Sequence, residues 1–268
     1  MEKIPLDKAS VGGVLVAIAG ILGGLLLEGG RLSQIIQPTA ALIVIGGTLG
    51  AVLLHFPLDV IIASAKQMNE VFFEPSRDPM ALIHELAEYA NQARRNGIVS
   101  LDAKISSIDD PFLRRSLMLA VDGTEPEELR KMMELELDNQ AEHEEQVPQV
   151  FEAAGGFAPT IGIIGAVLGL IQVMQHLDKI DEVGRGIAVA FVATIYGVGG
   201  ANLFLLPAAG KLKIRIRQTQ MLREMTLEGV ISILEGMNPR MLETKLLGYL
   251  TTHSLAEPLA HEEEETPA

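Results

Sequence analysis

Four runs without a single Lys, Arg, Asp or Glu decide what this chain can fold into. The two longest lie in its second half, Ala153 to Met174 and Gly186 to Gly210; two shorter ones, Val11 to Leu27 and Ala40 to Phe56, lie near its start. A helix needs about 20 apolar residues to cross a hydrocarbon core of about 30 Å. The second run can lengthen through Pro57 and Leu58 before Asp59 stops it, so the expected spans are about 11–27, 38–58, 153–174 and 186–210. Within lipid every backbone group must find its partner inside the segment, which makes such runs helices. The expectation is an all-α integral membrane protein with four transmembrane helices. Buried helices of a soluble protein would not supply four separate runs of this length.

Charge is segregated outside those runs. The 268 residues include 35 acids and 21 bases, for a net charge of -14. An acidic balance argues against general nucleic-acid binding and fits a water-exposed part that meets a basic protein surface. There is no cysteine, so disulfides, thiolate catalysis and cysteine metal sites are out. The first run follows Lys3 and Lys8, as a signal peptide would, but it is long for one and Glu28-Gly29-Gly30-Arg31 is a poor cleavage context. It is expected to stay as an anchor.

Flanking charge orients the helices. Lys211, Lys213, Arg215 and Arg217 follow the last run directly, and basic flanks stay in the cytoplasm. Both chain ends are then cytoplasmic, the links 28–37 and 175–185 lie outside, and a large helical loop between spans 2 and 3 lies inside. The resulting plan is 1–58 for the first two spans, 59–152 for the cytoplasmic loop and 153–210 for spans 3 and 4. Cytoplasmic C-terminal helices take 211–253, and an acidic tail at 254–268, with four consecutive glutamates and two prolines, is expected to be disordered. No linker separates independent domains.

The loop reads as helices. Leu82, Ile83, Leu86, Tyr89 and Ala90 form one stripe at helical spacing. Gly97 breaks it, and Ser100 is expected to cap the next helix. Asp110-Pro111 and Glu125-Pro126 mark two further starts. The second of these can run past Pro148 straight into span 3. From Val121 to Glu152 there are two bases against eleven acids, the pattern of a solvated face. Residues 211–235 continue helical through Ile214, Met221, Met225, Leu227, Ile231 and Leu234 until Gly236 and Pro239.

Within the spans, Gly20 and Gly24, Gly46 and Gly50, and Gly165 and Gly169 are four apart, the spacing of close helix packing. Pro159 and Pro207 each remove a helical hydrogen bond. They lie near the same end of spans 3 and 4, are expected at one depth, and together suggest a hinge or gate. The hydroxyls there are Thr160 and Thr194. One face of span 3 holds Pro159, Gly162, Ile163, Ala166, Leu170 and Val173; Thr194, Val198, Ala201 and Leu205 share a face of span 4. Intramembrane proton carriers normally need Asp, Glu or His. His55, His176 and Glu28 sit only at span edges, so a titrating group for any ion path must come from another protein.

The run Gly155-Gly156-Phe157-Ala158-Pro159-Thr160-Ile161-Gly162-Ile163-Ile164-Gly165 onward to Ile171 resembles the third span of the flagellar stator family that contains MotA and the sodium-driven PomA. Ala188-Val189-Ala190-Phe191-Val192-Ala193-Thr194-Ile195-Tyr196-Gly197, followed by Pro207, is similar to its fourth. The resemblance implies a pentameric ring of this chain around a MotB-type, peptidoglycan-binding membrane protein that supplies the ion-carrying Asp. It also implies torque on the flagellar rotor switch protein FliG, in the bacterial inner membrane. Pro159, Thr160, Ala166, Thr194 and Pro207 are then the ion-pathway and gating residues. Ala166 stands where sodium-driven relatives carry threonine, so protons are the expected cargo, and no cofactor is implied. The segment Ala93 to Asp102 is similar to the family's torque segment, which assigns rotor contact to Arg94 and Asp102, with Arg95 an adjacent candidate and Glu136 a further acid. The alternatives are a sodium-driven PomA-type stator or the related ExbB/TolQ energisers of outer-membrane transport, which usually have three spans. No nucleophile, metal cluster or intramembrane acid pair points to an enzyme.

Overall fold

The computed structural model describes residues 6–73 and 78–256, with side chains through residue 250. Among them the secondary structure is helical, apart from one isolated antiparallel bridge between Leu6 and Phe73. Helix α1 (Lys8–Leu27) starts at Asp7, whose carboxylate accepts the Ala9 and Ser10 amides. Helix α2 (Pro38–His55) opens on a proline and stops short of the expected residue 58. The cause is Pro57: a residue before proline is pushed out of the helical region, and Phe56 is extended at φ -120, ψ 149. Leu58 begins a separate helix, α3 (Leu58–Phe72).

Helices α4 (Pro79–Asn96), α5 (Asp102–Ile105) and α6 (Pro111–Val121) follow. Asp78 and Asp110 cap α4 and α6, each just before a first-turn proline. Helix α7 (Pro126–Gln175) is 50 residues long and passes Pro148 and Pro159 unbroken. Helix α8 (Ile180–Gly200) leads through a π-helical turn, Ala201–Leu205, into α9 (Leu206–Leu234). A turn with Gly236 at φ 74 precedes α10 (Pro239–Ala256). The backbone is therefore helical at 254–256; the rest of the expected disordered tail, 257–268, lies outside the described residues. Four helical stretches are long and apolar enough to cross a membrane: α1, α2, α7 and the continuous stretch from α8 to α9.

The chain divides into two compact units, residues 1–75 with 143–215 and residues 76–142 with 216–268. Two of the boundaries fall inside α7 and α9, so no linker composition marks them. In the first unit, Ala40 and Val44 of α2 pack on Val192 and Ala193 of α8. Val52 meets Val150 and Ala154, and Val71, Val147, Phe151, Ala208, Ala209 and Leu212 close a third cluster. Helix α1 buries no residue within the chain. Apolar surface left open on this scale marks contact with lipid or other subunits.

The second unit has an aqueous-type core. The stripe Leu82, Ile83, Leu86, Tyr89 and Ala90 is buried, together with Leu113, Leu117, Leu129, Met133, Met225, Ile231 and Leu242. Acids at 127, 128, 134, 138, 142 and 145 of α7 are exposed, as its composition requires. Two sequence expectations fail nearby. Ser100 does not cap α5: it lies inside a 3-10 turn, Ile98–Leu101, and its hydroxyl donates to the Gly97 carbonyl at 2.7 Å. Gly97, at φ 82, ends α4 and sets up that turn instead. Ile214, expected on the apolar side of α9, is 49% exposed in the first unit.

Candidate functional site: a glycine seam, two prolines and a charged loop tip

Helices α7 and α8 touch backbone to backbone. A Cβ on Gly162 would stand 2.9 Å from the Ala193 carbonyl oxygen, and one on Gly169 would stand 2.8 Å from the Gly186 carbonyl oxygen. Gly165 meets the Ala193 methyl and also Ile43 of α2. The pair Gly165 and Gly169 thus does the close packing its spacing announced. Gly20, Gly24, Gly46 and Gly50 do not: each faces open space within the chain.

The seam fixes which side chains are left to line a path. Gly162 is used up against α8, Ala201 is fully buried, and Leu205 packs inside the protein; these three leave the faces expected of them. Ile163, Leu170 and Val198 stay exposed, while Pro159, Ala166, Val173 and Thr194 are half-buried beside them. Pro207 and Thr160 are exposed. The two prolines are not side by side. Gly155 meets Leu206, so Pro207 is level with about residue 154, five residues from Pro159. That is roughly 7 Å along the pair at 1.5 Å per residue. The reason is antiparallel register: the steric match of small residues sets which turns face each other, and the prolines fall a turn and a half apart.

Both threonine hydroxyls donate into their own helix. Thr160 Oγ1 reaches the Phe157 carbonyl at 2.7 Å and Thr194 Oγ1 the Ala190 carbonyl at 3.2 Å. A hydroxyl whose proton is engaged still offers lone pairs, so each can accept from a hydronium, a water or a protonated acid. Pro159, lacking an N–H, also leaves the Gly155 carbonyl without its helical donor. The wall is apolar with isolated oxygen acceptors, and it contains no carboxylate between Ala153 and Met174 or between Gly186 and Gly210.

Ionic contacts brace the Lys211 end of this unit. Asp7, 7% exposed, receives Lys211 Nζ and Arg215 Nη2, the latter at 2.9 Å. The Lys211 hydrogen bond holds its carboxyl well below the usual carboxylate range, against burial, which pushes the other way. Glu152 accepts Lys213 Nζ at 2.6 Å, tying α7 to α9. Burial raises the Glu70 carboxyl, with Arg215 opposing and Glu144 reinforcing. At the other end, Tyr196 O–H donates to the Ile35 carbonyl at 2.5 Å and accepts the Gln37 amide at 3.2 Å. That pins the 28–37 link to α8.

In the second unit, Arg94 and Arg95 occupy the last turn of α4 and Asp102 the first residue of α5. All three are exposed, and none forms an ion pair among the described residues. The Gly97 turn and a 2.7 Å bond from Gln92 Nε2 to the Ser100 carbonyl hold them on one tip, with Val99 66% exposed between them. Glu136 is not a free charge: Arg115 Nε approaches it at 3.1 Å and Gln140 donates to it at 3.2 Å.

Four features escaped the sequence reading. Asp7 was hidden because only the basic flank of the first run carries topological information. Tyr196 and the Glu152–Lys213 pair needed the fold. Asn202 had a signal: it is the only amide side chain between Gly186 and Gly210.

The profile of the MotA/TolQ/ExbB proton channel family matches residues 104–225, and that of the Motility protein A N-terminal family matches residues 11–97. Motility protein A of Bacillus subtilis (strain 168) is 39% identical over 91% of this chain and 91% of its own length. Chemotaxis protein PomA of Vibrio alginolyticus is 30% identical over 91% of this chain and 96% of its own. Among solved structures, the flagellar MotAB stator complex from Bacillus subtilis superposes with TM-score 0.83 at 38% identity, covering 94% of this chain and 100% of that one. The MotAB structure of C. jejuni gives TM-score 0.86 at 30% identity, covering 97% and 99%. The chain therefore belongs to the MotA/TolQ/ExbB proton channel family, in its motility protein A branch, as a flagellar stator subunit that forms part of an ion channel.

Proposed function

We propose that this subunit forms the wall of a proton path whose titrating acid belongs to a MotB-type partner, and that proton passage drives torque on the flagellar rotor. One observation carries the reading: spans 3 and 4 present an apolar face with lone hydroxyl acceptors and one proline each, and the sequence places no carboxylate within them. A membrane helix carrying an Asp supplies what that wall lacks. Protons rather than sodium fit Ala166, which offers no oxygen to replace the water around a metal cation. The open apolar surface of α1, with Gly20 and Gly24 facing away from the chain, suits assembly into a ring of copies.

The basic run from Lys211 to Arg217 favours a cytoplasmic location for that end, hence inner-membrane insertion with both termini inside. Arg94, Arg95 and Asp102 then lie on the cytoplasmic side, exposed and without an ion pair among the described residues, where they can meet complementary charges on the rotor switch protein. Charge pairs of this kind steer and register contact more than they add affinity. Glu136 contributes by holding Arg115. The test is swimming of cells that depend on this subunit. Speed should follow the proton-motive force and ignore external sodium; arrest on sodium removal would reverse the cargo.

A further inference from the structure

The fourth span is not one regular α-helix. Between Ala201 and Leu205 it widens into a π-helix: the Ala201 N–H reaches both the Gly197 and Val198 carbonyls, whereas the Leu206 N–H reaches back five residues to Ala201. Such turns are single-residue insertions in the helical ladder and gather at functional sites. Pro207 follows almost at once. Its missing N–H can serve neither the Leu203 carbonyl, four residues back, nor the Asn202 carbonyl, five back. The segment thus holds carbonyls short of donors inside an apolar run, where only protein or a water-lined cavity can satisfy them.

Asn202 stands in the middle of this turn. Its Nδ2 donates to the Val198 carbonyl at 2.9 Å, and its side chain lies on the exposed side with Val198. Thr194, two helical turns earlier, makes the same kind of bond to the carbonyl four residues before it. We infer that Asn202 is a positioning residue for the gate at Pro207. Its amide stands in for a backbone donor, which lets the π-turn persist and shift. When such a turn moves along a helix, the residues it passes rotate by about 100°, one residue's share of a turn. The π-turn thus gives Pro207 two discrete orientations, and the Asn202 amide keeps both accessible. This deepens the channel reading above and rests on it.

The experiment uses two variants of nearly equal shape, Asn202→Thr and Asn202→Val; only the threonine hydroxyl can donate to the carbonyl four residues back. Each is co-expressed with its MotB-type partner, and proton uptake is followed in inverted membrane vesicles. Both variants should insert and co-purify with the partner. Asn202→Val should lower proton uptake roughly tenfold, the size of one lost hydrogen bond in an apolar setting, and Asn202→Thr should keep it near the wild-type level. Equal uptake in the two variants would overturn the inference. So would failure of Asn202→Val to insert or to bind the partner, which would make Asn202 a folding residue. Absence of uptake in the wild-type complex would sink the channel reading itself, and the inference with it.

Discussion

Gly197 of α8 lies so close to α7 that a Cβ placed on it would stand 2.5 Å from the Ala158 carbonyl oxygen. The obstacle is backbone, which cannot swing aside. Gly197→Ala must therefore separate the two helices or strain them, at a cost of about 1–3 kcal/mol. Gly20→Ala, with no neighbour in the chain, should leave the isolated subunit unchanged. Thermal unfolding in detergent checks both, and equal melting of the two variants would show that the seam is looser than this.

The Asp7 contacts with Lys211 and Arg215 should dominate the stability of the ionic brace. Removing one partner of a buried pair strands the other charge, so Asp7→Asn should cost about 3 kcal/mol. The pH sign follows from the direction of the shift: the folded carboxyl titrates below its ordinary value. Its contribution is then fully present above about pH 4, the unfolded value, and is lost as pH falls through the lower folded value. Acid titration of wild type and Asp7→Asn should converge, and a constant gap down to strong acid would contradict the brace.

Charge reversal at the loop tip separates torque from assembly. Arg94 is exposed and makes no ion pair among the described residues, so Arg94→Glu should leave the protein's level and membrane insertion intact. Torque measured on tethered cells should fall severalfold and recover in part with a reversed charge on the rotor. Arg115→Ala should act differently, by releasing Glu136 from its 3.1 Å contact and changing torque only modestly. Unaltered torque in Arg94→Glu would remove the tip from the interface.

The architecture was legible where physics acts locally. Uncharged runs gave the four spans, and the Leu82–Ala90 stripe gave the core of the second unit. The glycines of α7 were legible as packing residues, although their partner, α8, was not. What stayed hidden depends on register and on third residues. The depth of Pro159 against Pro207 follows from how Gly155 meets Leu206, a relation between distant segments that no spacing within one run contains. Ser100 looked like a cap until Gly97, at φ 82, turned the backbone first. Asp7 carries no signal within its own segment; only the return of α9 beside α1 makes it a buried anion.

Replacing Pro159 or Pro207 by Leu restores the backbone donor that each proline lacks. Both variants should insert normally while motility is lost. Swimming at wild-type speed in both would deny the prolines a role in passing ions.

Proton passage depends on where the acid resides. Proton flux into liposomes should be measured with this subunit alone, with its MotB-type partner, and with a partner whose membrane Asp is changed to Asn. Flux is expected only from the intact pair. A sustained proton current through this subunit by itself would contradict the claim that its wall carries no titrating group.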